Sequence, residues 1–196
     1  MNQEQILKLV EPHVPTLVQC VKKGWEEIQS IPDVTRLKFS LSARAGVMHC
    51  LSTARLQVAF VGDPNVHYFE DGLLRLVQIS DGSHTVLVRV KKLDDALRAS
   101  NILDNKQLVM DFAEPVVAVV TLGYTVIQRQ LEADLNQIYL QQEHEDGKLW
   151  HKSIWSAAIE SLTAIEAASK EEGATLQRAE VAPKETPNQN QEKASS

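Results

Sequence analysis

The chain has 196 residues, of which 43% are hydrophobic and 23% charged, with a net charge of -6. This is enough chain for one domain with a substantial core, at a composition ordinary for a globular protein. The acidic balance argues against a general nucleic-acid binder, which is usually basic over its whole domain, and leaves room only for a local basic patch. The opening MNQEQILKLV lacks the long apolar stretch of a secretory leader. No apolar run reaches the ~20 residues a membrane-spanning helix needs. The expectation is a cytoplasmic protein with no membrane partner. Cys20 and Cys50 fall inside candidate helices and form no CxxC or Cys/His cluster, so both are expected to be buried thiols in a reducing compartment.

The first thirty residues read as two helical pieces broken near Pro12 and Pro15. In the second, Leu17, Cys20, Val21, Trp25 and Ile28 recur at helical spacing, and Pro32 ends it. The next helix runs from about Ser40 to Phe60, where Val47, Leu51, Ala54 and Val58 form an apolar stripe. Gly62-Asp63-Pro64 then turns the chain.

Beyond that turn the hydrophobic period changes from helical to alternating. GLLRLVQI and HTVLVRVKK flank Ser80-Asp81-Gly82-Ser83, and Asp-Gly between two such runs predicts a hairpin. With Asp81 and Gly82 central, Ser80 opposes Ser83. One face then carries Arg75, Val77, Ile79, Val86, Val88 and Val90, and the other Leu74, Leu76, Leu87, Arg89 and Lys91. Aliphatic residues on both faces place this hairpin in the middle of a sheet. The following LDDALRASN is expected to begin a helix. EPVVAVVTLGYTVI is a further strand, and LNQIYLQQEHEDGKLWHKSIW a second hairpin turning at Asp146-Gly147. A last helix is expected at 156–170, and the polar composition of 171–196 predicts a disordered tail. The chain shows no internal repeat. The sum is an α+β domain over 1–170, with helices in 1–62 and a mostly antiparallel sheet of about five strands in 66–154.

Four basic residues are candidates for binding a ligand or partner: Arg44, Arg55, Arg89 and Lys91. On a helix, Arg44 and Arg55 lie within about 20° of each other and roughly 16 Å apart. Two guanidinium groups beside a core can grip a phosphate or a partner's carboxylates, or simply lie over the core edge. Arg89-Val90-Lys91 sits one residue away from the acid-x-Lys signature of restriction-type nucleases, whose acids hold Mg²⁺ while the lysine helps activate water. Glu70 or Asp71 can supply the first acid, but an arginine at 89 repels a cation. No residue set completes a catalytic constellation or a metal site. His144 and His151 flank the Asp146-Gly147 turn without a third ligand, and no phosphate loop, G-x-S-x-G or H-E-x-x-H is present. No cofactor is expected. Three Trp and three Tyr are scattered, as in core packing and unlike a base-stacking platform.

SARAGVMHCLSTAR, EDGLLRLVQI, VLVRVKKLDD, SNILDNKQLVMDF, LGYTV and KLWHKSI follow one another in order from Ser40 to Ile154. As an ordered set they resemble a family of small bacterial proteins encoded beside helix-turn-helix and zinc-peptidase regulators, in modules of toxin–antitoxin or phage-defence type. The chain departs from the family pattern at Asp104, where a threonine is expected. The resemblance implies a non-catalytic protein that binds a protein partner encoded nearby, with protein favoured over nucleic acid by the acidic charge. The alternative is a toxin acting on nucleic acid or nucleotides from a degenerate nuclease-like scaffold.

Overall fold

The computed structural model describes residues 2–71, 74–99, 116–128, 133–143, 149–161 and 163. The chain divides into two compact units, Met1–Ala158 and Ile159–Ser196. The first contains helices α1 (Gln3–Val10), α2 (Val14–Ser30), α3 (Asp33–Arg36) and α4 (Leu41–Ala59). They are followed by strands β1 (Val66–Asp71), β2 (Leu74–Ser80), β3 (Thr85–Lys92), β4 (Val116–Gln128), β5 (Ala133–Glu143) and β6 (Leu149–Ser156). In the second unit the described residues, 159–161 and 163, are helical, with Thr163 Oγ1 donating to the Ile159 carbonyl at 2.9 Å. Of the helix expected at 156–170, 157–161 and 163 are helical and Ser156 ends β6. Its other residues, the tail 171–196, the turn at Asp146-Gly147 and all of SNILDNKQLVMDF lie outside the described residues.

Local chemistry explains the helix boundaries. Asn2 accepts from the Gln5 backbone N–H while the Gln5 side chain accepts from the Asn2 N–H, both at 3.0 Å, which is a reciprocal N-terminal cap. Pro12 and Pro15 each fall in a first turn, Pro12 in a short 3₁₀ turn over Glu11–His13 and Pro15 in α2. There a missing N–H costs nothing, so the chain stays helical through both. Ser40 caps α4 by accepting from the Ala43 N–H at 3.1 Å.

The face that α4 buries differs from the expected stripe. Met48, Ser52, Thr53 and Leu56 are buried, whereas Val58 is 73% exposed and Ala54 is exposed. The cause lies in α2. A Cβ on Gly24 would come within 2.6 Å of Ser52 Oγ and 3.0 Å of the Ser52 backbone nitrogen. Two small residues thus allow a close crossing of α2 and α4, and that contact sets the rotation of α4. Apolar side chains on several sides of α4 left the rotation open to either reading.

The α+β class stands, with six strands in the sheet instead of about five, in the order β1-β2-β3-β4-β5-β6. The additional strand is β1, VHYFED, too short and too polar to show alternation. All neighbours are antiparallel except β3 and β4, which are parallel. The first hairpin pairs Ser80 with Thr85 and Val77 with Val88. Its register is shifted by two from the expected one, because Asp81 Oδ1 accepts from the N–H of Ser83 (2.9 Å) and of His84 (2.8 Å), which opens a four-residue loop. A shift of two preserves the faces, so the predicted partition of side chains holds, and β2 and β3 are central as expected. Val77, Ile79, Val86, Val88, Val90, Val120, Leu122, Ile138 and Leu140 form one core with Ile6, Leu17, Val21, Ile28, Met48 and Leu56 of the helices. A second cluster, Leu76, Leu87 and Val119, lies on the opposite face of the sheet. Among the described residues no helix is long and apolar enough to cross a membrane.

Candidate functional site

β3 carries Arg89 and Lys91 onto the sheet face opposite the helices, and Lys92 onto the other. Arg89 is 6% exposed, and its Nε donates to Thr121 Oγ1 at 3.2 Å. The strand pairings align Arg89 with Thr121 on β4, Thr121 with Gln141 on β5, and Gln141 with His151 on β6. The result is one polar row across four strands. Gln141 is 4% exposed and donates through Nε2 to the Leu97 carbonyl at 3.0 Å, while its Oε1 is buried without a hydrogen bond. Lys91 sits in the next row, against Gly123, which pairs in turn with Tyr139. Burial, and then the positive charge of Arg89, push the Lys91 ammonium below its ordinary range. A Cβ on Gly123 would fall 2.4 Å from Leu93 Cδ1, so a larger residue there would have to displace the Leu93 side chain.

Leu97 belongs to a segment read from the sequence as a helix start. The structure instead shows a tight turn. Asp94 Oδ1 accepts from the N–H of Ala96 (3.0 Å) and of Arg98 (2.8 Å), and Leu93 bridges to Ala99. Leu97 takes a positive φ of 58° within it. An aspartate that satisfies two turn N–H groups competes directly with helix initiation, and the turn aims the Leu97 carbonyl at Gln141.

The two arginines of α4 have different surroundings. Arg55 binds Glu27 of α2 through both Nε and the terminal guanidinium nitrogen, so the two do not form a joint grip. Arg44, near the start of α4, has its Nε withdrawn from water with no hydrogen-bond partner. It lines a narrow cavity of about 30 Å³ together with Lys92, Trp25 and Tyr124. The four predicted residues therefore occupy three places, and only Arg89 and Lys91 are brought together. Lys92, Trp25 and Tyr124 were not singled out from the sequence. Lys92 is one residue from a candidate, and alternation alone assigns it to the helix side of the sheet.

The acids considered for a nuclease site also separate. Glu70 faces the helices, where it binds Arg75 at 2.9 Å. Asp71 pairs with Leu74 on the face that carries Lys91. His49 of α4 sets its Nδ1 against the Val90 carbonyl at 3.2 Å. Burial foremost, then Lys91, lower its pKa against a smaller opposing effect of the Val90 carbonyl, and Arg75 lowers it further. Cys50 is exposed, against the expectation of a buried thiol. Cys20 is buried, and burial pushes its thiol up to about 11 despite the nearby Lys23 and Arg55. Among the described residues no group of three or more His, Cys, Asp or Glu side chains is placed to hold a metal ion. No protein-family model matches the chain, and comparison with curated proteins and with solved structures returns no significant match.

Proposed function

We propose that this chain is a non-catalytic interaction protein of a bacterial toxin–antitoxin-like or phage-defence module, working in the cytoplasm by binding a protein encoded beside it. The observation that supports this reading is an open groove between α2 and α4 on their outer side, of about 370 Å³, formed by Pro15, Cys20, Val58 and Ala59 with Lys23 and Arg55 at its rim. Val58, on its wall, is 73% exposed. An exposed aliphatic side chain on an apolar groove is what a partner's apolar anchors bury, and the Lys23 cation favours an acidic partner segment, since Arg55 is already matched by Glu27.

Co-expression with the neighbouring gene product, followed by affinity purification, tests it. The expected result is a stoichiometric complex that Val58→Glu abolishes and Val34→Glu, a control at another exposed apolar position, leaves intact. Failure of the wild-type proteins to associate at micromolar concentration sinks the proposal, as does a complex indifferent to Val58→Glu.

A further inference from the structure

The cavity beside Arg44 is part of a longer cleft. Arg44, Trp25 and Ala133 also line a second narrow cavity of about 30 Å³ that reaches Arg36. Leu41, Ala45, Lys92 and Val126 are shared with an open cavity of about 420 Å³, which adds Ser42 of α4 and Asp94, Asp95 and Arg98 of the turn after β3. The cleft is thus narrow at Arg44 and wide beyond Lys92.

Its charges are unbalanced. Arg36 has its own carboxylate in Asp33. Among the described residues no acidic side chain pairs with Arg44, Lys92 or Arg98, whereas Arg55 and Arg75 bind Glu27 and Glu70. A guanidinium N–H removed from water without an acceptor costs about 1–3 kcal/mol, and folded proteins keep few such groups without a reason. Two cations on one narrow cavity add repulsion to that cost. An oxyanion between them removes both penalties, because it accepts from the Arg44 Nε–H and screens Lys92. The start of α4 adds its positive end: Leu41 and Ser42 stand in its first turn, where N–H groups have no partner within the helix.

We propose that this cleft is a binding site for a phosphate dianion, held between Arg44 and Lys92. A charge of two matches the two cations, which favours phosphate over a carboxylate. A narrow space of about 30 Å³ admits two or so water-sized groups by the usual ~10–15 Å³ per water, enough for the leading oxygens of one phosphate. The wide part leaves room for an organic group esterified to it, within reach of Arg98. This site goes beyond the partner-binding groove, which lies on the outer side of α2 and α4, and it stands whether or not that groove binds a protein.

Thermal melts and titration calorimetry on the full chain test it, with inorganic phosphate and phenyl phosphate as probes against chloride at equal ionic strength. Both phosphates are expected to raise Tm where chloride does not. Arg44→Met and Lys92→Met should each weaken binding at least tenfold, while Arg55→Met should not change it. Arg44→Met removes an unpaired buried cation, so in chloride it should melt at or above the wild type, which shows that lost binding is not lost folding. A tighter response to phenyl phosphate that Arg98→Met removes assigns the wide part to an organic ester. An equal response to both probes assigns the site to the free ion. A phosphate shift no larger than that of chloride, or one retained by Arg44→Met, overturns the proposal.

Discussion

The two faces of the sheet are built on different principles. The face toward the helices is a continuous aliphatic layer, to which Val88, Val90, Val120, Leu122 and Leu140 contribute, closed by side chains from α1, α2 and α4. The opposite face pairs a small cluster, Leu76, Leu87 and Val119, with the polar row Arg89, Thr121 and Gln141. Both are buried, yet one is held by dispersion and the hydrophobic effect and the other depends on hydrogen bonds that must be completed. A single strand, β3, supplies both, by alternation. The lesson is that burial alone does not identify the stabilising layer, and that a basic residue on a central strand can be structural.

The largest expected effects come from the aliphatic side. Leu122→Ala removes a fully buried side chain from the large core and should cost about 4 kcal/mol, within the usual range of roughly 2–5 for such truncations. Leu87→Ala, equally buried in the small cluster, should cost about 2–3 kcal/mol, because fewer neighbours lose contacts. Urea denaturation of both variants checks the order. Equal losses would mean that the two faces are packed alike.

On the polar side, Thr121→Val is close to isosteric and takes away the acceptor of the Arg89 Nε–H. Losing that hydrogen bond should cost about 0.5–1.5 kcal/mol. Val120→Thr, one residue away on the aliphatic face, buries a hydroxyl among aliphatic side chains and should cost a similar amount for the opposite reason. If both variants match the wild type in a denaturation midpoint, the distinction between the faces fails.

Much of this partition was legible beforehand. The alternation in GLLRLVQI and HTVLVRVKK assigns each side chain to its face, and no loop detail changes that, since a register shift of two returns every residue to the same side. The rotation of α4 was not legible, because it is decided by Gly24 meeting Ser52, a contact between residues 28 apart in sequence whose meaning appears only in three dimensions. The turn after β3 was misread for a related reason. Asp94 is as good a helix cap as a turn former, and the Leu93–Ala99 bridge decides between them. Of the site residues, Arg44 and Arg55 look equivalent on a helical wheel. What separates them is Glu27 on α2, a partner that no spacing rule supplies.

A smaller effect concerns the rim where α4 meets the sheet. His49 is held neutral below its ordinary pKa of 6.5, mainly by burial and then by Lys91. The unfolded chain takes up a proton near 6.5 that the folded chain resists, so stability should fall as pH drops from about 6.5 toward the lower folded value and stay flat above it. Chemical denaturation between pH 5 and 8 should show that slope, and His49→Gln should flatten it. The charged groups that act on His49 are Lys91 and Arg75, and both remain in His49→Gln, so the part of the slope that this variant loses belongs to the imidazole. An unchanged slope in His49→Gln would place the acid sensitivity elsewhere.

The gentlest probe uses the two thiols, one on each of the two helices that cross at Gly24. Cys50 is exposed on α4, while Cys20 is buried on α2 with its thiol raised to about 11. Since the thiolate is the reactive form, iodoacetamide at pH 8 should modify Cys50 in the native protein and spare Cys20 until the protein unfolds. Mass spectrometry of the native reaction should find one adduct, and of the urea-treated protein two. Cys20 also lines the groove between α2 and α4. Two adducts formed at equal rates under native conditions would mean that this groove opens to its floor, and that the close α2–α4 crossing is not the rigid contact which fixes the rotation of α4.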